Sequence, residues 1–547
     1  MNIFKKKKIQ GVLLVLVVLG GLAFTVPTNR YFELTKNLEI FTNIYKHLNM
    51  YYVDDVDPSK MIKVGIESML KECDPYTNYF SETQIETFRF MSEGKFNGIG
   101  IQVRDIDGTM TISDIYEQSP ADKAGLKMGD KLISIDQKNV AGKSAEDILA
   151  ILQGSANSKI DIQVSRPGES KTMGFNINRG EVDIKNVPYF DLVEKDYAYI
   201  SLTTFTDDAT KNIQAAYNSL KAKNPNIKGV ILDLRENGGG LLREAVNICN
   251  LFIGKDMEVV TTKGKVKEWD QVFKTTGEPM DAKIPVTILI NKRSASASEI
   301  VSGVIQDYDR GVIIGQRSYG KGLVQNTYDI GYNSRVKITT SKYYIPSGRC
   351  IQAVSYKDGE PVNIPDSLRS VFKTKGGRKV LDGGGVTPDI LVSTPDQIDF
   401  VEKLNQQNLI FKYATGFVLK NKTIASPDSF QFKDYEDFKQ FVLKDDCKFE
   451  SEAESHFSKF LKEAKDINLS EGLSVEIKSI KDRLIADKRK KLDANKNVII
   501  QLLEKEIVSR YYLQKGKLRY SVTHDQEVAE AIQVMSNESK YQKILKK

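Results

Sequence analysis

Asn291-Lys292-Arg293-Ser294-Ala295-Ser296-Ala297-Ser298-Glu299-Ile300 is the stretch from which the 547-residue chain is read outward. The run ahead of it, Pro285-Val286-Thr287-Ile288-Leu289-Ile290, reads as a buried strand bounded by a proline. The run behind it, Ile300-Val301-Ser302-Gly303-Val304-Ile305, suits a helix. Three serines spaced by alanines at a strand-to-helix turn put small hydroxyls where a helix N-terminus has free N–H groups. On these residues alone a serine-rich N-cap is the favoured explanation.

The rest of the chain changes that balance. A serine nucleophile needs a base, usually histidine. The histidines are His47, His456 and His524, and none lies between 181 and 395. Lysine serves when burial keeps it neutral. Lys321, twenty-five residues after Ser296, sits in Ser318-Tyr319-Gly320-Lys321-Gly322, behind the apolar strand Gly311-Val312-Ile313-Ile314-Gly315. Its flanking glycines imply a tight loop aiming the amine inward; an ordinary surface turn is the alternative. A second glycine loop follows the strand Gly229 to Arg235, at Glu236-Asn237-Gly238-Gly239-Gly240, before a helix from Leu241. Such a loop exposes N–H donors for a phosphate or an oxyanion. The phosphate reading fails because no Gly-Lys-Ser/Thr follows and the Rossmann spacing is absent.

Ser-Ala-Ser-Ala-Ser-Glu, then Gln306-Asp307, then Gly320-Lys321-Gly322-x-Val324-Gln325 resembles the C-terminal processing (tail-specific) serine peptidases, over roughly residues 35 to 395. The resemblance implies a Ser-Lys dyad with Ser296 as nucleophile, Lys321 as base and Gln325 orienting the lysine. The family's Asp-Leu-Arg-x-Asn-Pro-Gly-Gly is matched at 233–240, with Gly238 in place of the proline. Gly238 or Gly239 would then complete the oxyanion hole with the N–H of Ala297. Asp307 is expected to be mainly structural.

Residues 96–180 look like a PDZ domain. Gly98-Ile99-Gly100-Ile101 would gather N–H groups on a peptide carboxylate and lead into a strand whose edge can pair with the peptide. Ser119-Pro120-Ala121-x-x-Ala124-Gly125-Leu126-x-x-Gly129-Asp130 is the second signature, and a helix from Ser144 would form the other wall of the groove. By resemblance, Arg166 is a candidate for coupling this domain to the active site, although a solvated turn explains an arginine beside Pro167-Gly168 equally well.

Length predicts several domains. The expected division is a signal or membrane anchor at 1–27, a helical region at 28–95, the PDZ domain at 96–180, a peptidase core at 181–395 and a charged helical domain at 396–547. The expected fold class is thus a multidomain α+β and α/β chain, with the PDZ domain inserted in a mixed α/β core of the ClpP/crotonase-like kind. Lys5 to Lys8 followed by the apolar run Ile9 to Val26 reads as an export signal or an uncleaved anchor. No small-x-small cleavage site stands out, which favours an anchor in the inner membrane with the bulk on the periplasmic side of the envelope. Leu38, Phe41, Ile44, Tyr45 and Leu48 recur at helical spacing, and Asp74-Pro75-Tyr76 breaks the pattern.

The net charge of +7 and the single tryptophan, without a compact basic face, give no argument for nucleic acid. Cys73, Cys249, Cys350 and Cys447 have no metal-ligand spacing, and Cys249 reads as a buried helical residue. No metal, nucleotide or other cofactor is expected. The resemblance implies protein substrates with free apolar C-termini as partners, and the N-terminal run implies the membrane; residues 396–547 would cap the core, self-associate or meet an adaptor. The functional expectation is a serine endopeptidase that captures tails by its PDZ domain and cuts through an acyl-enzyme. Two rivals are a catalytically silent PDZ scaffold or chaperone on the same fold, and an enoyl-hydratase-like enzyme, which gives no reason for a PDZ domain.

Overall fold

The apolar runs that alternate with glycine-rich turns after residue 181 form a six-stranded sheet in the computed structural model. The model describes residues 28–546 apart from 85–88, 90–92, 358–359, 393–397, 445–448, 450 and 467–471. The anchor or signal expected at 1–27 and Cys447 lie outside the described residues. Among the described residues no helix is long and apolar enough to cross a membrane. The chain falls into two units, one within Met1–Tyr79 and Lys357–Glu360, the other within Phe80–Tyr356 and Pro361–Lys547.

In the first unit the expected helices are present as Thr28–Tyr51 and Pro58–Lys71. Asp57 caps the second by accepting from the N–H groups of Ser59 and Lys60, with Pro58 in its first turn. The spacing that predicted the first helix does not mark a core, because Leu38, Phe41 and Ile44 stay exposed. Asp74 makes the expected turn, its carboxylate accepting from the N–H groups of Tyr76 and Thr77.

In the second unit the sheet runs Tyr189–Val193, Tyr197–Ser201, Gly229–Asp233, Val286–Ile290, Val312–Gly315 and Ile390–Leu391. Its first pair is antiparallel and every later pair parallel. A mostly parallel sheet must be covered on both faces, and the central strands are apolar at nearly every position. Val230, Leu232, Val286, Ile288 and Ile290 share one cluster with the helices Ala209–Lys223, Leu242–Asn250 and Ala297–Asp307. Ile231, Leu289, Val312 and Ile314 share another with Val528, Ala531, Val534 and Tyr541. These last residues belong to Gln526–Ser536 and Glu538–Leu545. The extreme C-terminal helices therefore cap the core, a choice the sequence had left open.

Arg235 receives that cap at the mouth of the Gly229–Asp233 strand. Its guanidinium pairs with Asp233 at 2.6 Å, with Asp525 at 2.7 Å and with Glu527. Burial acts to raise the Asp233 carboxyl, but Arg235 beside it holds it below the usual carboxylate range.

The expected PDZ region is an antiparallel sheet in the order Ile101–Ile106, Thr109–Ile115, Lys131–Ile135, Lys159–Ser165 and Met173–Asn178. Two helices complete it. Ser119 caps Pro120–Ala124, and Ala145–Leu152 starts in a capping box between Ser144 and Asp147. The helix Leu409–Lys420 links this domain to the C-terminal helices. Lys412 pairs with Asp107 at 2.7 Å, and the ring of Phe411 lies under Arg104 from the PDZ side and Arg510 from the long helix Lys496–Thr523.

The capping role of the last helix has a stability test. The buried Tyr541 hydroxyl accepts the N–H of Val286 at 2.9 Å and lies 3.1 Å from that residue's carbonyl oxygen. Tyr541→Phe strands a buried N–H at the start of a core strand and should lower the unfolding free energy by about 1–3 kcal/mol in denaturant melts. An unchanged midpoint would show that the last helix does not brace the sheet.

Candidate functional site

Three loops leave the C-terminal ends of three neighbouring parallel strands. Gly229–Asp233 runs into the glycine loop, Val286–Ile290 into the serine turn and Val312–Gly315 into the lysine loop. In open α/β sheets this is the end at which ligands bind. Adjacent strands thus bring together residues that lie far apart in the chain.

Ser296 stands at the N-cap position of Ala297–Asp307, so the structural and the functional reading fall on one residue. Its backbone is unusual for a cap, with φ 55° and ψ −112°. A non-glycine residue held at positive φ stores strain, which marks functional turns more often than ordinary ones. The flanking serines are engaged in holding the turn. The Ser294 hydroxyl donates to the Leu234 carbonyl at 2.8 Å, and that of Ser298 donates to the Asn237 carbonyl at 2.9 Å. Both bonds tie the serine turn to the glycine loop and leave the middle serine as the one at the strained position.

Asn237, fully buried, organises the glycine loop. Its Nδ2 donates to the Leu202 carbonyl at 2.8 Å, its Oδ1 accepts the Gly239 N–H at 2.9 Å, and its carbonyl accepts from Ala295 N–H at 3.0 Å. Gly239 has φ +99°, and a Cβ there would lie 2.8 Å from both the Ala295 oxygen and the Ser296 Cβ and 3.0 Å from the Ala297 nitrogen. Only glycine allows this approach. Gly238 has open space at its Cβ position. Among the described residues no acceptor takes the N–H of Gly238 or of Ala297.

The lysine loop is as tight as its glycines imply. Gly320 has φ +91°, and a Cβ on it would collide with Ala353. The loop is gripped by Glu299, from the first turn of the serine helix. Glu299 Oε1 accepts from the Ser318 hydroxyl at 2.5 Å and the Gly320 N–H at 2.6 Å. Its Oε2 accepts from the N–H groups of Ser296 and Lys321, each at 2.8 Å. The side chain is fully buried. Burial pushes its carboxyl up to about 7, against the four donors that favour the charged form. Beneath the same pair, the Tyr343 hydroxyl lies 2.7 Å from the Lys321 carbonyl oxygen and 3.2 Å from that of Ser296.

Sequence reasoning passed over Glu299, Asn237, Tyr343 and Ser318. Glu299, Asn237 and Ser318 stood inside quoted motifs, and the signal available for Glu299 was a carboxylate three residues after an N-cap, which is the capping-box spacing. Tyr343 and Ser318 gave none.

The remaining expected residues are placed as follows. Gln325, at a bulge in the strand Leu323–Asp329, donates from its Nε2 to the Thr339 hydroxyl at 3.2 Å. Asp307 is at the far end of the serine helix, where it pairs with buried Arg349 at 2.9 Å and accepts from the Ser347 N–H, a structural role. Arg166 is held within its own domain, 2.7 Å from Asp130 and 2.8 Å from the Gly125 carbonyl, close to the turn where Gly168 meets Leu419. Gly98, Ile99, Gly100 and Ile101 form the expected loop; the carbonyls of Ile99 and Gly100 accept from Ala121 and Tyr116, and Gly100 has φ +81°. The strand that follows, Ile101–Ile106, is the edge of its sheet and lies beside Ala145–Leu152. Cys249 is buried in its helix as expected. Among the described residues no cluster of His, Cys, Asp and Glu has the makings of a metal site.

Known proteins share these features. Residues 196–359 match the family described as peptidase family S41, 111–166 match a PDZ domain, and 400–535 match the C-terminal helical domain of probable PDZ-proteases. The chain is 33% identical over 377 residues to the carboxy-terminal-processing protease of Bartonella bacilliformis, covering 68% of this chain and 79% of the relative. It is 31% identical over 373 residues to a probable CtpA-like serine protease of Staphylococcus aureus strain COL, covering 67% and 74%. Among solved structures, a photosystem II D1 C-terminal processing protease aligns at 24% identity and a TM-score of 0.36, over 64% of this chain and 92% of that one, a superposition too loose to add to the case.

The Glu299 carboxyl provides a direct test of this geometry. Because its folded-state value is raised above that of an unfolded chain, its contribution to stability is fully present below about 4.5 and is lost as pH rises through 7. Difference infrared spectra should show a buried carboxylic acid band that disappears with a midpoint near pH 7 and is absent from Glu299→Gln. A midpoint below 5 would mean that the four donors, and not burial, set the protonation of Glu299.

Proposed function

The chain belongs to peptidase family S41 and is a serine-type peptidase, and on that premise we propose that it cuts proteins captured by their C-terminal tails, with Ser296 and Lys321 as a catalytic dyad. The observation that carries this reading is the shared grip of Glu299 on the backbones of those two residues, which comes from turns on adjacent strands.

The chemistry follows from the groups at the site. Lys321, in its neutral form, takes the proton of the Ser296 hydroxyl as Oγ attacks the scissile carbonyl. The tetrahedral oxyanion accepts hydrogen bonds from the Ala297 N–H, at the N-terminus of the serine helix, and from Gly238, whose N–H is the one that Asn237 does not take. Gly239 allows the two segments to meet. Lys321, now an ammonium, gives its proton to the leaving amine as the C–N bond breaks. Water then attacks the acyl-enzyme, giving its proton to Lys321, which passes that proton to Ser296 Oγ as the ester C–O bond breaks, restoring the serine hydroxyl and the neutral amine. Gln325 orients the lysine once its amide leaves Thr339.

Capture falls to residues 96–180, with 181–395 as the cutting core and 396–547 as its cap. A substrate tail adds as a strand to the free edge of Ile101–Ile106, its carboxylate held at Gly98-Ile99-Gly100-Ile101 and its apolar end residue between that strand and Ala145–Leu152. Arg166 and its turn lie on the side of the domain that meets Leu419, so any coupling through it passes by way of the C-terminal helices. Residues 9–26 hold the enzyme at the outer face of the cytoplasmic membrane, in the cell envelope.

Two measurements test the site. Ser296→Ala and Lys321→Ala should each reduce cleavage of an unstructured protein with an apolar C-terminus on the order of 1,000-fold or more, and the double variant should lose little further. Tail binding without cleavage by the parent would instead indicate a scaffold. Gly239→Ala should cost at least about 100-fold in turnover, while Gly238→Ala stays within several-fold of the parent. Equal losses in the two would misplace the glycine loop.

A further inference from the structure

We propose that Glu299 and Tyr343 are positioning residues of the cleavage reaction, which together fix the backbone of Ser296 relative to that of Lys321. The proposal rests on the reading of those two residues as nucleophile and base. Ser296 and Lys321 stand on different turns, and each presents one backbone N–H and one carbonyl. Both N–H groups end on a single oxygen, Glu299 Oε2, at 2.8 Å each. The Tyr343 hydroxyl donates to the Lys321 carbonyl at 2.7 Å and lies 3.2 Å from the Ser296 carbonyl, which also accepts the N–H groups of Glu299 and Ile300 at 2.8 and 2.9 Å. The lysine loop is thus tied to the serine turn by two side chains, one from the serine helix itself and one from a further strand. Glu299 comes from the serine helix and Tyr343 from the strand Arg335–Tyr344.

Each of these anchors is itself fixed. Glu299 is bound through its other oxygen to Ser318 and Gly320, so the lysine loop is held at three points. Tyr343 is only 1% exposed, and its own N–H donates to the Gly322 carbonyl at 3.0 Å, one residue beyond the lysine. Neither side chain reaches solvent, so neither meets the substrate. What they control is the distance between the attacking oxygen and the amine, and a misplacement of about 1 Å in such a pair costs on the order of 100-fold in rate.

The chemistry of the two groups fits the task. A carboxylate only accepts, and four donors converge on it. The isosteric amide of Glu299→Gln turns two of its acceptor sites into donors, so one side of the grip must face N–H to N–H. Tyr343→Phe removes a single oxygen and keeps the buried ring, releasing the Lys321 carbonyl while that of Ser296 keeps its bonds from Glu299 and Ile300.

The test compares the full chain with Tyr343→Phe, Glu299→Gln and Ser296→Ala in steady-state cleavage of an unstructured protein with an apolar C-terminus. Thermal unfolding and affinity for a fluorescent tail peptide are measured alongside. Tyr343→Phe should lower kcat about tenfold and Glu299→Gln about 100-fold, with KM and tail affinity within about twofold of the parent. Parental kcat in Tyr343→Phe, or a loss of activity that merely follows the unfolded fraction, overturns the proposal while Ser296→Ala remains inactive. Cleavage that survives Ser296→Ala overturns instead the dyad beneath it. Should either variant fail to fold, amide exchange on the parent decides. The N–H groups of Ser296 and Lys321 should exchange as slowly as the interior of Ala297–Asp307, and fast exchange at either contradicts the clamp.

Discussion

A buried carboxylate that accepts four hydrogen bonds is costly to desolvate and costly to leave unsatisfied, and the arrangement of this site depends on one such group, Glu299. Its partners come from the serine turn and from three positions of the lysine loop. A shift in either segment leaves N–H groups or the carboxylate itself without a partner in a dry interior. The cost of that shift holds the geometry. Asn237 plays the corresponding part between the serine turn and the glycine loop, through bonds to Leu202, Gly239 and Ala295. Three strand ends are thereby bound into one surface, at the edge of a sheet that supplies the rigid base.

That base is completed from the other end of the chain. The sheet carries apolar residues on both faces, and the face presenting Ile231, Leu289, Val312 and Ile314 is covered by helices that begin at Gln526. Arg235, two residues past the strand that leads into the glycine loop, reaches Asp525 and Glu527 at the start of that cap. The PDZ domain in turn rests on Leu409–Lys420 through Asp107, Arg104 and the ring of Phe411. The PDZ domain, the sheet and the C-terminal helices are therefore in continuous contact within this unit.

Much of this was legible in the residues. The alternation of strands, glycine loops and helices predicted the core because its strands are apolar throughout and its turns are marked by residues with few other uses. Gly320 was readable as part of a tight loop and Gly239 as part of a donor loop, and each occupies a position where a side chain would strike its neighbour. Other features are set by contacts between distant segments, which local pattern does not record. The Tyr343 hydroxyl differs from that of any other strand tyrosine only in what folding places beside it. Glu299 resembled a capping residue, and it does reach back to the Ser296 N–H, but its grip on Ser318, Gly320 and Lys321 belongs to the tertiary fold. The helical spacing of Leu38, Phe41 and Ile44 marked the helix and left its burial open, since periodicity specifies a face but not what covers it, and these residues stay exposed. Capping by the C-terminal helices stayed one alternative among several for the same reason.

The most direct test of the account is the reaction of the protein with a fluorophosphonate, in which a serine oxygen displaces fluoride from phosphorus and the adduct is located by peptide mass. If Ser296 is the nucleophile and Lys321 its base, the label falls on Ser296 in the parent and forms far more slowly in Lys321→Ala, with the fold of both unchanged. A label on another residue, or one on Ser296 whose rate ignores the loss of Lys321, would contradict the pairing from which the mechanism is built.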